Sequence, residues 1–377
     1  MSLSKYITHL EILKAQGLYR SRRIIDDKTV VNFCSNDYLG LAKNEIVIAA
    51  FKNAADIYGV GSGSAHLICG HSHAHHALEE ELAEFTGRER ALLFSTGYMA
   101  NVGTINALME RGDFVFEDKL NHASLLDGGL SSGANFKRYP HADLRRLEEL
   151  LSSANGQKLI VTDGVFSMDG DVAPLHELAI LAKKNTALLM VDDAHGFGVL
   201  GRTGGGLVEE LNLTQNDVPI LMGTLGKAFG TFGAFITGSE TLIETLIQSA
   251  RTYIYTTALP PAIAEATRAS LKIVITETWR REKLQALISQ FKTGAAQLNL
   301  PLMPSDSSIQ PLLIGDSFRA TQMSQQLLEA GFLVSAIRPP TVPKGKARLR
   351  ITFSALHEAD DVARLLETLH RLQNLEN

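Results

Sequence analysis

The chain has 377 residues, 45% of them hydrophobic and 20% charged, with a net charge of −5. That balance suits a globular chain of two or three domains and gives no reason to expect nucleic acid or an anionic membrane as a partner. No apolar run reaches the roughly 18 residues of a transmembrane helix, the N-terminus lacks a signal-peptide core, and two cysteines (Cys34, Cys69) make neither a disulfide framework nor a zinc site, so a cytoplasmic compartment is expected.

In chain order, the spacing of Leu3, Ile7, Leu10, Leu13 and Leu18 predicts a helix over 3–19. Arg20, Arg22 and Arg23 follow, as either a solvated turn or an anion site for a carboxylate or phosphate. Residues 30–33 read as a short strand, and Asn36, Asp37 and Gly40 as turn chemistry. A helix over 44–58 leads into a glycine-rich loop, and another helix is expected from 75 to 85. The tract His71, His73, His75, His76 invites a metal reading. No cysteine or carboxylate completes a recognised ligand spacing, so no metal is expected. Ser62 is misplaced for a nucleophile elbow, and the surrounding glycines do not spell a dinucleotide fingerprint.

Residues 91–94 read as a strand running into Ser95–Asn101, then a helix to about 109. Strand, small-residue turn and helix make an anion site, with Tyr98 beside it; the plainer reading is a helix start alone. A strand over 114–117 precedes His122, which could lie against a flat ring or be purely structural. A strand over 158–162 ends near Ser167 and Asp169, and a helix over 174–184 follows. Apolar residues 188–191 end in Asp192, Asp193 and His195; apolar residues 220–222 end in Thr224 and Lys227. Short runs of this kind suit strands buried on both faces of a parallel sheet, where ligands bind at the carboxyl ends. The alternation across 91–236 argues for an α/β layer fold. A helical region spans 239–297, with Pro260 and Pro261 suited to the first turn of a helix. Beyond it, a strand over 307–315, a helix over 319–330, a strand over 332–337 and a proline-rich loop lead to a strand carrying Arg348 and Arg350 on one face. That face is either solvated or aimed at a substrate carboxylate. The expected division is an N-terminal arm (1–40), a large α/β domain (41–280) and a small α+β domain (281–377).

A lysine amine can form an imine with a carbonyl, and a carboxylate can hold a proton on a pyridine nitrogen. Either residue alone is more simply a solvated lysine or a helix cap. Together, at two strand ends, Asp192 and Lys227 describe a site for pyridoxal 5'-phosphate (PLP).

The segments SNDYLGL, STGYMAN, NHAS, DGVFSMDGD, VDDAHGFGVLG, TLGKAFG and RPPTVPKGKARLRIT occur in this order, over about residues 30–360. They resemble the α-oxoamine synthase family of fold-type I PLP-dependent transferases. The resemblance implies a large, mostly parallel sheet domain, a smaller C-terminal α+β domain and a homodimer. It implies that Lys227 forms the imine with PLP, Asp192 partners the pyridinium nitrogen, His195 bonds the ring's phenolic oxygen and His122 stacks on the ring. Gly97 and Tyr98 match the cofactor turn, Ser167 and Thr224 further cofactor contacts, and Thr256 and Thr257 a phosphate contact from the other subunit. Arg350, assisted by Asn36, matches the arginine for the amino-acid carboxylate. Thr341 and one arginine of the 20–23 cluster, taken as Arg20, match substrate contacts. The implied reaction is a decarboxylative condensation. The RPPTVP segment points to L-alanine with pimeloyl-CoA or pimeloyl-acyl carrier protein, giving 8-amino-7-oxononanoate for biotin. Two alternatives stand beside it: glycine with acetyl-CoA, and a non-catalytic Rossmann-like binding protein.

Overall fold

The computed structural model describes residues 3–20, 22, 24–25 and 30–374. The strands among the described residues are, in chain order, β1 (Val31–Asn32), β2 (Arg90–Phe94), β3 (Phe114–Asp118), β4 (Asn135–Tyr139), β5 (Lys158–Asp163), β6 (Leu188–Asp192), β7 (Ile220–Thr224), β8 (Ala234–Gly238), β9 (Ile309–Gly315), β10 (Phe332–Leu333), β11 (Ser335–Ile337) and β12 (Ala347–Thr352). The chain divides into a large unit, Asp37–Ser167 with Asp171–Glu282, and a small unit, Met1–Asn36 with Met168–Gly170 and Lys283–Asn377. The N-terminal segment thus groups with the small unit, where a separate arm over 1–40 is the sequence expectation. The physical reason is strand pairing: β1 runs parallel to β10, with Val31 opposite Phe332.

The large unit is built on a seven-stranded sheet in the order β2-β8-β7-β6-β5-β3-β4. Strands β7, β6, β5, β3 and β4 are parallel neighbours, and β8 runs antiparallel between β2 and β7. The apolar runs fill the core: Leu92, Phe94, Val161, Met190, Met222 and Ile236 are all buried. This is the expected α/β class. Two strands have no counterpart in the sequence reading. The edge strand β4 (NFKRY) buries only Tyr139, so it lacks an apolar run; β8 follows so closely on the Lys227 turn that its glycines mask it.

Local chemistry sets the helix ends. Asn44 caps Glu45–Tyr58 by accepting from the Ile46 and Val47 amides, and Gly59 ends it at φ +78°. The helix expected over 75–85 starts earlier, at His73, because Ser72 and His75 form a reciprocal capping box in which imidazole replaces the usual Glu or Gln. The predicted helix over 3–19 is Ser4–Ala15 and buries none of its residues. In the small unit, β11, β12 and β9 form an antiparallel sheet.

At the carboxyl edge of the large sheet, His141 joins two loops. Its Nδ1 meets Asp118 Oδ1 at 3.0 Å, and its Nε2 meets Asp171 Oδ2 at 2.7 Å. The hydrogen bonds to Asp118 and then to Asp171 raise its pKa from 6.5 to about 10. A raised histidine pKa means the folded state binds the extra proton. The stabilisation is complete below pH 6.5 and is lost as pH rises through about 10. His141→Gln is expected to cost about 1–3 kcal/mol at neutral pH, the partly exposed ring limiting the figure. It should also remove the loss of stability over that window, measured by denaturant unfolding at several pH values.

Candidate active site

Five strand ends deliver the side chains of the large unit. At the end of β6, Asp192 is 4% exposed. Its Oδ2 accepts from Asn101 Nδ2 at 2.7 Å and its Oδ1 from the Ala194 amide at 3.0 Å, so the carboxylate is held in one orientation. Asn101 also donates to Ser124 Oγ at 2.9 Å. The next residue, Asp193, is buried and its Oδ2 accepts from the Leu207 amide at 2.6 Å. Burial pushes its carboxyl up to about 8, against the lowering effect of these backbone donors. The glycines of the GFGVLGRTGGG run make room for it: a Cβ on Gly196 or Gly206 would fall 2.0–2.1 Å from an Asp193 oxygen, and Gly206 has φ +88°.

At the end of β7, Lys227 Nζ lies 2.9 Å from His195 Nε2, and His195 Nδ1 lies 2.5 Å from the Tyr38 hydroxyl. Amine, imidazole and phenol form one chain whichever ring nitrogen carries the proton. Tyr38 is fully buried and His195 is 7% exposed. Thr224 is half-buried, and its hydroxyl donates to Gly233 O at 3.2 Å.

At the end of β3, His122 caps the helix Ala123–Ser131. Its backbone N–H donates to Asp163 Oδ2 at 2.6 Å, and its Nδ1 meets Ser124 Oγ at 2.7 Å. His122 is exposed, yet desolvation by the protein around its ring lowers its pKa. The charge of Asp192 opposes that shift and the charge of Lys227 adds to it, which places all three groups together. Asp163, at the end of β5, pairs in register with Asp192. Burial first, and then the Asp192 charge, raise the Asp163 carboxyl well above the usual range. Ser167 lies half-buried in the loop beyond it.

At the end of β2, Thr96 Oγ1 accepts from the Met99 amide at 3.2 Å and starts the helix Gly97–Leu108. The first amides of such a helix carry no intrahelical partner and form an anion site. A Cβ on Gly97 would fall 2.6 Å from Met222 Cε, so a larger residue there would displace that methyl. Tyr98 is half-exposed and its hydroxyl donates to Asp127. Thr257 is exposed, and its carbonyl accepts from Ser95 Oγ at 3.5 Å; Thr256 beside it is half-buried.

The small unit holds two clusters. Arg350 is 7% exposed; its Nη1 and Nη2 each lie 3.3 Å from Asn36 Oδ1, and Nη1 donates to Thr352 Oγ1 at 2.9 Å. Arg348 donates to Asp169 Oδ1 at 2.6 Å. The solvated-face reading of these arginines fails, because both are buried. Arg20 Nη2 donates to Thr341 Oγ1 at 3.2 Å across 321 residues of chain. Both line a cavity of about 420 Å3, with Tyr19, Ser324 and Arg338. Arg22 is exposed, and Arg23 lies outside the described residues.

The large-unit set fits PLP by its chemistry: a fixed carboxylate for a ring nitrogen, an exposed imidazole for a ring face, an amine for an aldehyde and a helix start for a phosphate. Asn101 and Tyr38 are the residues that sequence reasoning passed over. Each stood inside a motif, but read as part of a helix or a turn.

The family model for aminotransferases of class I and II matches residues 28–369. An 8-amino-7-oxononanoate synthase from Saccharophagus degradans is 61% identical, over 98% of this chain and 96% of that protein. One from Thioalkalivibrio sulfidiphilus is 60% identical, over 97% and 96%. Among solved structures, a serine palmitoyltransferase from Sphingomonas wittichii superposes with a TM-score of 0.93 at 32% identity, covering 99% of this chain and 97% of that one. The 8-amino-7-oxononanoate synthase of Francisella tularensis gives 0.82 at 34% identity, covering 93% and 99%. With the motifs, the sheet order and the Asp192–Lys227 site in agreement, the chain belongs to the aminotransferase class I and II family, in its α-oxoamine synthase branch.

Proposed function

We propose that the protein condenses L-alanine with a pimeloyl thioester, carried on CoA or on acyl carrier protein, to give 8-amino-7-oxononanoate, carbon dioxide and the free thiol. The observation that carries this reading is the fixed Asp192 carboxylate at the end of β6 and the Lys227 amine in the turn after the adjoining β7, in a chain about 60% identical to 8-amino-7-oxononanoate synthases. When bound, PLP supplies an electron sink for the Cα carbon. Asp192, held by Asn101, would keep a proton on the ring nitrogen. His122 would lie against the ring. His195, tied to Tyr38, would bond the phenolic oxygen and orient the Lys227 amine. Lys227 would anchor the cofactor and serve as the base for the Cα proton of alanine. Gly97 and Tyr98, with Ser167 and Thr224, would hold the cofactor's phosphate arm and ring substituents. Product identification by mass spectrometry over a panel of amino acids and acyl thioesters tests the assignment; a C-acetyl product of glycine as the preferred outcome would overturn it.

Arg350, with Asn36, binds the alanine carboxylate in this reading, and Arg20 with Thr341 contacts the acyl substrate. Arg350→Ala is expected to raise KM for L-alanine by about 30-fold or more, the cost of removing one partner of a buried charged pair. Arg350→Lys should recover only part of it, because an ammonium lacks the planar fork. Steady-state kinetics with alanine varied would check both.

The protein acts as a cytoplasmic homodimer in this reading, with Thr256 and Thr257 reaching the phosphate of the partner's cofactor. The helix Ser4–Ala15 supports a partner chain, since Leu3 beside it is 70% exposed and Tyr6, Ile7, Leu10 and Ile12 all face solvent. No helix among the described residues is long and apolar enough to cross a membrane.

A further inference from the structure

The histidine-rich tract before and within the helix His73–Thr86 has no role in the reaction above. It follows a π-helical turn at His66–Gly70, and the fold gathers it closely. One ligand atom each from His71, His76 and Glu79 lies within 4.8 Å of the other two. His76 and Glu79 stand three residues apart on one helix, a spacing that puts both on one face. His71 reaches them from the turn before it.

Hydrogen bonds hold two members of this group, Glu79 and His71. Glu79 Oε1 accepts from the Leu93 amide of β2 at 3.0 Å. That bond fixes the carboxylate and leaves Oε2, 3.9 Å from His71 Nε2. Such a separation is too long for a hydrogen bond. It is about half an ångström longer than the spacing of two ligands on a tetrahedral ion, whose bonds are about 2.0–2.2 Å each, so a small rotation of either side chain would close them on one. The other nitrogen of His71 is already engaged, with Nδ1 3.0 Å from His66 Nδ1. A metal-binding histidine commonly has its second nitrogen held in this way. His66 is itself fixed by stacking on Tyr253, ring centroids 5.0 Å apart.

The neighbouring histidine does not compete. His75 Nε2 meets Leu259 O at 2.7 Å, and its Nδ1 accepts from the Ser72 amide at 3.0 Å. His76 is exposed and touches Glu80 Oε1 at 3.5 Å, a long surface pair that binding would exchange for a stronger one. We propose that His71, His76 and Glu79 bind one divalent ion of the zinc class. Two imidazoles and a carboxylate make a three-ligand set that leaves a coordination position for water. The ion would link the turn at His66–Gly70 to the helix, and through Glu79 to β2.

The test is calorimetric titration of Zn2+ into the PLP-loaded enzyme after chelator treatment and dialysis. The expected result is one zinc per chain. His71→Gln, His76→Gln and Glu79→Gln should each weaken it at least about tenfold, and His66→Phe by about tenfold through loss of the supporting bond. His76→Gln changes an exposed residue, so its folding is secure, and circular dichroism checks the others. Turnover without added metal should stay at the wild-type level in His76→Gln. No stoichiometric zinc uptake, or uptake unchanged in His76→Gln and Glu79→Gln, would overturn the proposal. Either outcome is independent of the condensation reaction, because the readout is binding and not product.

Discussion

Lys227→Ala is expected to lower the rate of 8-amino-7-oxononanoate formation by at least about 10³-fold, since one substitution removes both the cofactor's anchor and the base. The amine sits 2.9 Å from His195 Nε2, which holds it at the site. The loss should fall on kcat, because alanine's carboxylate is assigned to Arg350 and its affinity does not depend on the amine. Product measured by mass spectrometry checks the rate, and circular dichroism separates lost chemistry from lost folding. Turnover at the wild-type level would sink the mechanism.

Asp192→Asn is expected to slow the reaction by about 10²–10³-fold, in line with the loss of one well-placed electrostatic group. An amide cannot hold a proton on the ring nitrogen as a carboxylate does. The damage also extends outward. Asn101 Nδ2 donates to Asp192 Oδ2, so an amide nitrogen placed there would face another donor. Relief by rotating the Asn101 amide would give up its bond to Ser124 Oγ. Asp192→Asn combined with Asn101→Asp restores a donor–acceptor pair, and it should recover stability without recovering turnover. Thermal unfolding and steady-state kinetics on the two variants would separate the roles. Full activity in Asp192→Asn would show that ring protonation does not depend on this residue.

The parts of the site that were legible in the chain are those built from neighbours in sequence. The runs ending at Asp192 and Lys227 are short and wholly apolar, which suits strands buried on both faces, and β6 and β7 are such strands. Thr96 and Gly97 marked a helix start by type alone, and Thr96 caps it. The failures have equally local causes. Strand β4 exposes most of its residues, so its sequence carries no apolar signal, and it is held by pairing with β3. The helix expected over 3–19 is present as Ser4–Ala15, yet it buries none of its apolar residues, because spacing reports a face and not what covers it. Glu79 lies three residues beyond the last histidine of the tract in a plain acidic stretch, and only the fold brings it near His71 and His76.

What the sequence determined by itself is the layer class, the strand ends that carry chemistry and the acid–lysine pair that defines the cofactor. These depend on periodicity, turn chemistry and residue type, all local properties. Only the tertiary structure decided the partners. Tyr38 meets His195 across 157 positions, Asn101 meets Asp192 across 91, and Arg350 meets Asn36 across 314. Such pairs leave no trace in spacing, because each hydrogen bond is set by sheet order and loop closure rather than by the residues beside it. For the same reason, the chain left open whether Arg348 and Arg350 lie on a solvated face. Burial in the folded small unit, with Asp169 and Asn36 as partners, excludes the solvated face.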